Sequence, residues 1–516
     1  MEIKLKESLT LHPFLFALFP IFFIYSINSQ EIKFEEIFSL FIIILPITFG
    51  LIFILSLIFQ NKKAIGFVIS IGFIMFFSYG HIHNLLSSNF ELRHFYLLII
   101  YFTFFIISVY YLIKTKRKLN NAIKITNAVG IILIVISGMT IISDNIVGNT
   151  SIDFIDTSSN INTNQISDKP DVYYIILDAY AGQDVLNNYF GYDNNEFISF
   201  LEDNNFHVVP HALTNYHTTA LSLSSSLNMQ YLDCVENSKV IREEFRESES
   251  CFSPSIAYDK IQNNEIMKKF NQEGYTIINA YSGIEPTRNF DIAFSNLCGR
   301  YSGIMNSELT ITLIGKSILN PIYVKLFEDV KRDQILCVLS ELEQVHTKYD
   351  KSIFVFAHLM LPHHPYIFGP NGESVSPEKM ESRWEGLEND KDGYLNQVKF
   401  VNKKMQQIIT TIIDESSIPP IIVIQGDHGL KSKINNTSSP TNEEFHNRLS
   451  IINAYHIPTT NTLPYENITP VNSFRVIFNE LFDEQLEILP NLNYWMYPEA
   501  PIFREVNLIF NNSIYG

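Results

Sequence analysis

The sequence predicts a five-helix transmembrane domain followed by an extracytoplasmic α/β domain whose central, mostly parallel sheet lies between helices. Three observations lead there. Five long apolar stretches fill residues 1–143. Charge divides unevenly along the chain, with net +2 over residues 1–167 and net −19 over residues 168–516. Beyond residue 171, short apolar runs bounded by turn residues alternate with longer amphipathic stretches, which is how strands buried under helices read. At 516 residues the chain exceeds what one hydrophobic core organises. An apolar content of 46% beside a net charge of −17 excludes disorder, collagen and a basic nucleic-acid binder, so no nucleic-acid partner is expected.

A hydrocarbon core of about 30 Å takes roughly 20 apolar residues at about 1.5 Å each. The stretches 11–28, 38–59, 65–86, 95–113 and 122–143 have that length, and none carries a charged residue near its middle. A cleaved signal peptide would account for the first stretch but not for the four that follow, and no small-residue cleavage site closes it. Lys4, Lys6, Lys62, Lys63, Lys114, Lys116, Arg117, Lys118 and Lys124 fall in alternate loops, against Lys33 and Arg93 in the others. Basic loops stay in the cytoplasm, so the fifth helix exits outward into a multi-pass arrangement. His81 and His83 then lie near the outer end of the third helix, either meeting a lipid headgroup or sitting in the interface.

Residues 144–170 are rich in Ser, Thr, Asn and Asp without period, and Pro170 closes them, which makes a polar linker between a membrane domain at 1–143 and an exterior domain at 171–516. All four cysteines lie beyond it, where an oxidising exterior permits disulfides. Cys234–Cys251 is the first pairing to expect, because the loop between them is short and polar; four separate buried thiols are the alternative.

Candidate strands are 172–177, 275–280, 353–357, 421–424 and 449–454, with candidate helices at 195–204, 219–231, 259–272, 333–348, 393–415 and 472–482. In open α/β sheets functional groups gather beyond the carboxyl ends of strands. Asp178 ends one apolar strand, and Asp427 and His428 follow another between Gly426 and Gly429. Two carboxylates and an imidazole at one sheet edge suit a divalent cation such as Zn²⁺ or Mn²⁺. The run NYHTTALSLSSSLNMQYL reads as a loop entering a helix near Thr219, where a hydroxyl meets unpaired N–H groups and the positive end of the helix dipole. That suits an activated nucleophile facing an anion, with Thr218 as the neighbouring alternative, although a plain helix cap is the commoner use of such a residue. His358, His363 and His364 stand within seven residues, bracketed by Pro362 and Pro365; metal ligation, anion binding and leaving-group protonation are the natural uses of such a group.

In this order, strand–Asp178, Thr219, His358-x₄-His363-His364-Pro365 and strand–Gly426-Asp427-His428-Gly429 resemble the sulfatase-like branch of the alkaline phosphatase superfamily over roughly 170–482. Five membrane helices before such a domain resemble the layout of lipoteichoic acid synthases and lipid A phosphoethanolamine transferases. The resemblance implies a sulfatase-like phosphotransferase or phosphoric ester hydrolase. It implies Asp178, Thr219, Asp427 and His428 as metal ligands, Thr219 as nucleophile, and His358 and His363 in contact with the transferred group. The chain has Thr219-Ala-Leu-Ser where sulfatases have Cys/Ser-x-Pro-x-Arg, so formylglycine chemistry is not expected. No further cofactor-binding residues are implied. His446, His456 and the 363–364 pair are candidate ligands for a second metal.

The expected reaction is transfer of a phospho-headgroup from a lipid-linked donor to a surface glycan or lipid acceptor through a phospho-threonine. Two rivals remain: a phosphatase, phosphodiesterase or sulfuric ester hydrolase using water, and a non-catalytic surface protein.

Overall fold

The computed structural model describes residues 9–27, 35–87, 94–115, 119–148, 169–232, 254–301, 307–375, 390–430, 440–458, 464–497 and 502–506. The chain divides into two compact units: the N-terminal helices together with residues 302–329, and the rest of the chain from residue 152 onward.

The helical unit holds α1 (His12–Ile27), α2 (Glu35–Ile58), α3 (Lys62–Ser87), α4 (His94–Lys114) and α5 (Asn120–Gly148). Four of these, α2 to α5, are long and apolar enough to cross a membrane. α1 has 16 residues, which at about 1.5 Å each fall short of a core of about 30 Å. The expected five spans therefore stand at four among the described residues, with α1 a shorter apolar helix. Large apolar side chains on α2 and α4 point outward, Ile42 being 75% and Phe102 67% exposed, a distribution suited to lipid rather than water.

Polar groups inside this unit pair with one another. Asn127 of α5 accepts the N–H groups of Leu11 and His12 at the start of α1 and donates to the Leu9 carbonyl. His12 Nδ1 lies 2.7 Å from the Ser70 hydroxyl of α3. Satisfying helix-end donors within the bundle is what an apolar surrounding demands. His83 is buried with its ring stacked 3.7 Å from that of His94, while His81 is exposed. Lys62 and Lys63 open α3 and Lys114 closes α4. Lys4, Lys6, Lys33, Arg93, Lys116, Arg117 and Lys118 lie outside the described residues, as do residues 151–168 of the linker.

The second unit is an α/β fold. Its strands are β1 (Val172–Leu177), β2 (His207–Val208), β3 (Thr276–Ala280), β4 (Ser295–Leu297), β5 (Ile353–Leu359), β6 (Ile421–Gly426) and β7 (Asn453–His456), with a separate hairpin of β8 (Tyr494–Tyr497) and β9 (Ile502–Glu505). Its helices are α6 (Gln183–Phe190), α7 (Asn195–Asp203), α8 (Thr219–Ser226), α9 (Pro254–Gln262) and α10 (Glu265–Gln272). The segment that joins the helical unit carries α11 (Glu308–Gly315) and the start of α12 (Asn320–Gln344), and α13 (Lys391–Glu415), α14 (Asn442–Leu449) and α15 (Pro470–Phe482) follow.

The sheet order is β2-β7-β6-β1-β5-β3-β4. From β6 to β4 every pairing is parallel, and β7 and β2 add antiparallel edge pairings. β1 is wholly buried and its side chains alternate between two cores. Tyr173, Ile175 and Leu177 pack with Leu339 and Leu342 of α12 and Val398 and Met405 of α13. Val172, Tyr174 and Ile176 pack with Phe270 of α10 and Phe474 and Phe478 of α15. Helices on both faces are what continuous apolar strands require. The register pairs Leu177 with both Gly426 and Leu359, so the carboxyl ends of β1, β5 and β6 coincide.

Two expectations change here. The strand expected at 449–454 begins at Asn453, because Thr441 and Glu444 form a capping box that starts a helix in a polar stretch and carries it to Leu449. The helix expected at 259–272 is two helices, broken where the Asn264 side chain accepts the Met267 N–H and starts the second.

The boundary at 171–516 also needs revision, since residues 302–329 belong with the N-terminal helices. Leu309 and Leu313 of α11 are buried with Ala17, Ile21, Ile37 and Ile69. Just after it, Gly80 of α3 donates its N–H to the Lys316 carbonyl, and Ile318 donates to the Phe76 carbonyl, each at 2.9 Å. A Cβ on residue 80 would lie 2.8 Å from the Lys316 Cα. Eight residues are too few to register as a span, which hides this return from a hydropathy reading. A disulfide joins Cys298 to Cys337, on either side of the segment. The expected partners Cys234 and Cys251 lie outside the described residues.

Candidate metal and phosphoryl-transfer site

Because β1, β5 and β6 end together, their last residues meet. Asp178 follows β1, His358 is the penultimate residue of β5, and Asp427 and His428 follow β6. Asp178, Asp427 and His428 each offer one ligand atom, and these atoms all lie within 4.8 Å of one another. His428 Nε2 is 3.7 Å from Asp178 Oδ1 and 3.5 Å from Asp427 Oδ2, and His358 Nε2 is 3.4 Å from Asp178 Oδ2. All four side chains are buried.

The backbone holds these groups in place. Asp178 donates its N–H to the Leu359 carbonyl, and Ala179 follows in a left-handed conformation with φ 61°. Asp427 Oδ1 accepts the N–H groups of Ala179 and His428. The Asp427 carbonyl accepts from Thr214, whose hydroxyl also meets Ser222 of α8. Gly429 permits the turn: a Cβ there would sit 2.3 Å from the Asn447 carbonyl oxygen and 2.5 Å from that of Ser450.

Thr219 meets the cluster at His428. It is the first residue of α8, after Thr218 as the N-cap in extended conformation, whose side chain makes no capping bond. Its hydroxyl is 3.2 Å from His428 Nε2 and, unlike the cluster around it, is only half-buried. The first-turn N–H groups of α8 have no intrahelical acceptor and face the same direction as the helix dipole's positive end.

Burial penalises the Asp178 carboxylate, but the charge of His363, first among the imidazoles around it, outweighs this and holds the group below the usual carboxylate range. Burial, then the charge of Arg448, pushes His428 down to about 4, against the opposite pull of Asp427 and Asp178. Arg448 is itself buried, donating to the His217 and Gly429 carbonyls. A neutral His428 has a lone pair to offer a metal.

A divalent cation fits these residues. Asp178 Oδ1, Asp427 Oδ2 and His358 Nε2 are buried with no hydrogen-bond partner among the described residues, a costly arrangement unless a positive charge is shared among them. Asp178, Asp427, His428 and Thr219 would hold it, an oxygen and nitrogen set suited to Zn²⁺ or Mn²⁺.

Other histidines separate. His363 is half-buried with its ring stacked 4.1 Å from that of His364, and is near enough to Asp178 for its charge to act on that carboxylate. His446 is engaged 2.6 Å from Asp184. His456 Nδ1 pairs with the Pro420 carbonyl at the amino end of β6, the far end of the sheet from the cluster. Sequence reasoning missed Thr214, Ser282, Thr287 and Arg448. A lone Arg in HNRLSIIN and threonines in loops carry no pattern, since their roles come from the packing of distant segments.

No family model and no curated protein matches the chain. Among solved structures it is similar to the integral membrane lipooligosaccharide phosphoethanolamine transferase A of Neisseria meningitidis, at 12% identity and TM-score 0.38, covering 87% of this chain and 88% of that one. It is similar to the C-terminal periplasmic domain of EptC from Escherichia coli in complex with Zn, at 13% identity and TM-score 0.37, covering 61% and 83%. The lipoteichoic acid synthase LtaP of Listeria monocytogenes is matched at 12% identity and TM-score 0.35, covering 60% and 72%.

Proposed function

We propose that the protein is a membrane-anchored, metal-dependent phosphotransferase of the sulfatase-like kind, with its α/β unit outside the cytoplasm. It would move a phospho-headgroup from a lipid-linked donor to a surface glycan or lipid acceptor through a phospho-Thr219 intermediate. The observation that carries this reading is a half-exposed Thr219 hydroxyl at a helix N-terminus, 3.2 Å from His428 in an otherwise buried ligand cluster. A residue that merely opens a helix has no use for two carboxylates and an imidazole at its side.

A divalent cation bound there would lower the pKa of the Thr219 hydroxyl and offset charge on the phosphoryl oxygens. Thr219 attacks phosphorus in line with the lipid oxygen, so a Thr–O–P bond forms as the bond to the lipid breaks. The first-turn N–H groups of α8 point to where the phosphoryl oxygens gather charge. His363, at the edge of the cluster, meets the transferred group. An acceptor hydroxyl then attacks the phospho-threonine and releases Thr219.

The test uses the full chain in detergent with Zn²⁺ or Mn²⁺, a chromogenic phosphodiester and, separately, phosphatidylethanolamine vesicles. Turnover should depend on metal and fall at least about 10³-fold in Thr219→Ala, and mass spectrometry should find the phospho-headgroup on the Thr219 peptide. Metal-dependent turnover that survives Thr219→Ala would overturn the reading.

A further inference from the structure

His358 is the one buried member of the cluster whose role the geometry leaves to be argued, and a chain of hydroxyls decides it. Ser282 follows β3 and Thr287 lies in the loop after it, both buried. Ser282 donates its single hydroxyl hydrogen to the Ile284 carbonyl at 3.0 Å, since a carbonyl can only accept. Its oxygen accepts the Ile284 N–H and the Thr287 hydroxyl, at 3.2 and 3.0 Å. Thr287 has therefore already given its own hydrogen to Ser282. The 2.7 Å contact between Thr287 Oγ1 and His358 Nδ1 must take its hydrogen from the ring.

With Nδ1 carrying hydrogen, Nε2 is the ring nitrogen left to face Asp178 Oδ2, 3.4 Å away, and it has no hydrogen-bond partner among the described residues. Lone pairs facing one another in a buried site are unfavourable unless a cation lies among them. From this geometry we infer that Ser282 and Thr287 are positioning residues that fix the His358 tautomer, and that His358 thereby completes the cation's ligand set instead of contacting the transferred group. The inference rests on the metal-dependent reading above and refines it. Hydrogen-bonded partners that fix the tautomer of a ligating histidine commonly change metal affinity by about 10- to 100-fold when removed.

Ser282→Ala separates this from a merely structural role. It leaves every contact to His358 in place but frees the Thr287 hydrogen to donate to Nδ1, which favours the opposite tautomer. The experiment measures Zn²⁺ affinity of the full chain in detergent by competition with a chelating dye, beside thermal stability and phosphodiester turnover. Thr287→Val and Ser282→Ala should each weaken Zn²⁺ by about 10- to 100-fold, and Thr287→Ser, which keeps the hydroxyl, should restore wild-type affinity. Wild-type Zn²⁺ affinity in folded Ser282→Ala would overturn the relay even if turnover fell. Loss of affinity in Thr287→Ser equal to that in Thr287→Val would overturn it as well. Failure of the wild type to bind Zn²⁺ or turn over would instead count against the function proposed above, so the two failures are distinguishable.

Discussion

One oxygen of Asp427 accepts the Ala179 N–H at 3.0 Å, which ties the turn after β6 to the turn after β1. The same oxygen accepts the N–H of His428. Oδ1 is thus structural, and Oδ2, buried and without a hydrogen-bond partner among the described residues, is left for chemistry. Ala179 adopts its left-handed conformation beside this bond, an uncommon state for a residue with a Cβ that the surrounding contacts enforce.

That division of labour predicts different outcomes for two substitutions. Asp427→Asn keeps an acceptor for both N–H groups and removes a buried charge, so the metal-free variant should melt at or above the wild-type temperature. Added Zn²⁺ should no longer raise it. Asp427→Ala leaves two buried donors unmet and should cost about 1–3 kcal/mol for each. Thermal melts with and without Zn²⁺ distinguish the cases.

Metal removal gives a second expectation. A ligand bound only by the folded state stabilises it by mass action, so a chelator should lower the wild-type melting temperature and restored Zn²⁺ should recover it. His428→Ala should respond to neither treatment. An unchanged wild-type melt after verified metal loss would contradict the site.

Asp184 predicts the acid response. Burial raises its carboxyl, but the hydrogen bond and charge of His446, followed by bonds from Ser450 and the Val185 N–H, bring it down to about 2 from its ordinary 3.8. A folded-state pKa below the unfolded one means that the stabilisation is present above about pH 4 and is lost as pH falls toward 2. The stability gap between wild type and Asp184→Asn should therefore be about 2 kcal/mol at pH 7 and close between pH 4 and 2 in denaturant titrations.

Gly429→Ala should damage the site without touching a ligand. Its Cβ meets main-chain oxygens of Asn447, Ser450 and Arg448, which cannot rotate away as a side chain would. Overpacking of this kind costs about 1–3 kcal/mol, and the shift it forces on His428 should reduce Zn²⁺ affinity.

Much of this was legible in the chain. The strand ending at Leu177 and the start of α8 at Thr219 follow from apolar runs and from a hydroxyl before an amphipathic segment. Asp178, Asp427 and His428 could be singled out because strand ends in a parallel sheet converge. What stayed hidden depends on contacts between distant segments. Arg448, which adds to burial in pushing the His428 pKa down, arrives on a helix whose polar sequence reads as a loop until its capping box is seen. The Ser282–Thr287 pair matters only because β3 and β5 are neighbours in space. The extra strand β4, three residues long, carries too little pattern to be found alone.

The disulfide between Cys298 and Cys337 brackets a stretch of chain that packs with the N-terminal helices. A protease that nicks the polar linker would therefore not shed a free α/β unit, because the carboxyl-terminal product still owns Leu309 and Leu313, which are buried among those helices. A second nick within 302–329 would still leave the two cut ends covalently joined through the cysteines. Release from the membrane needs the linker cut and cuts on both sides of α11, which would stay among the helices that bury it, and a gene truncated at the linker would express an apolar helix stripped of its partners.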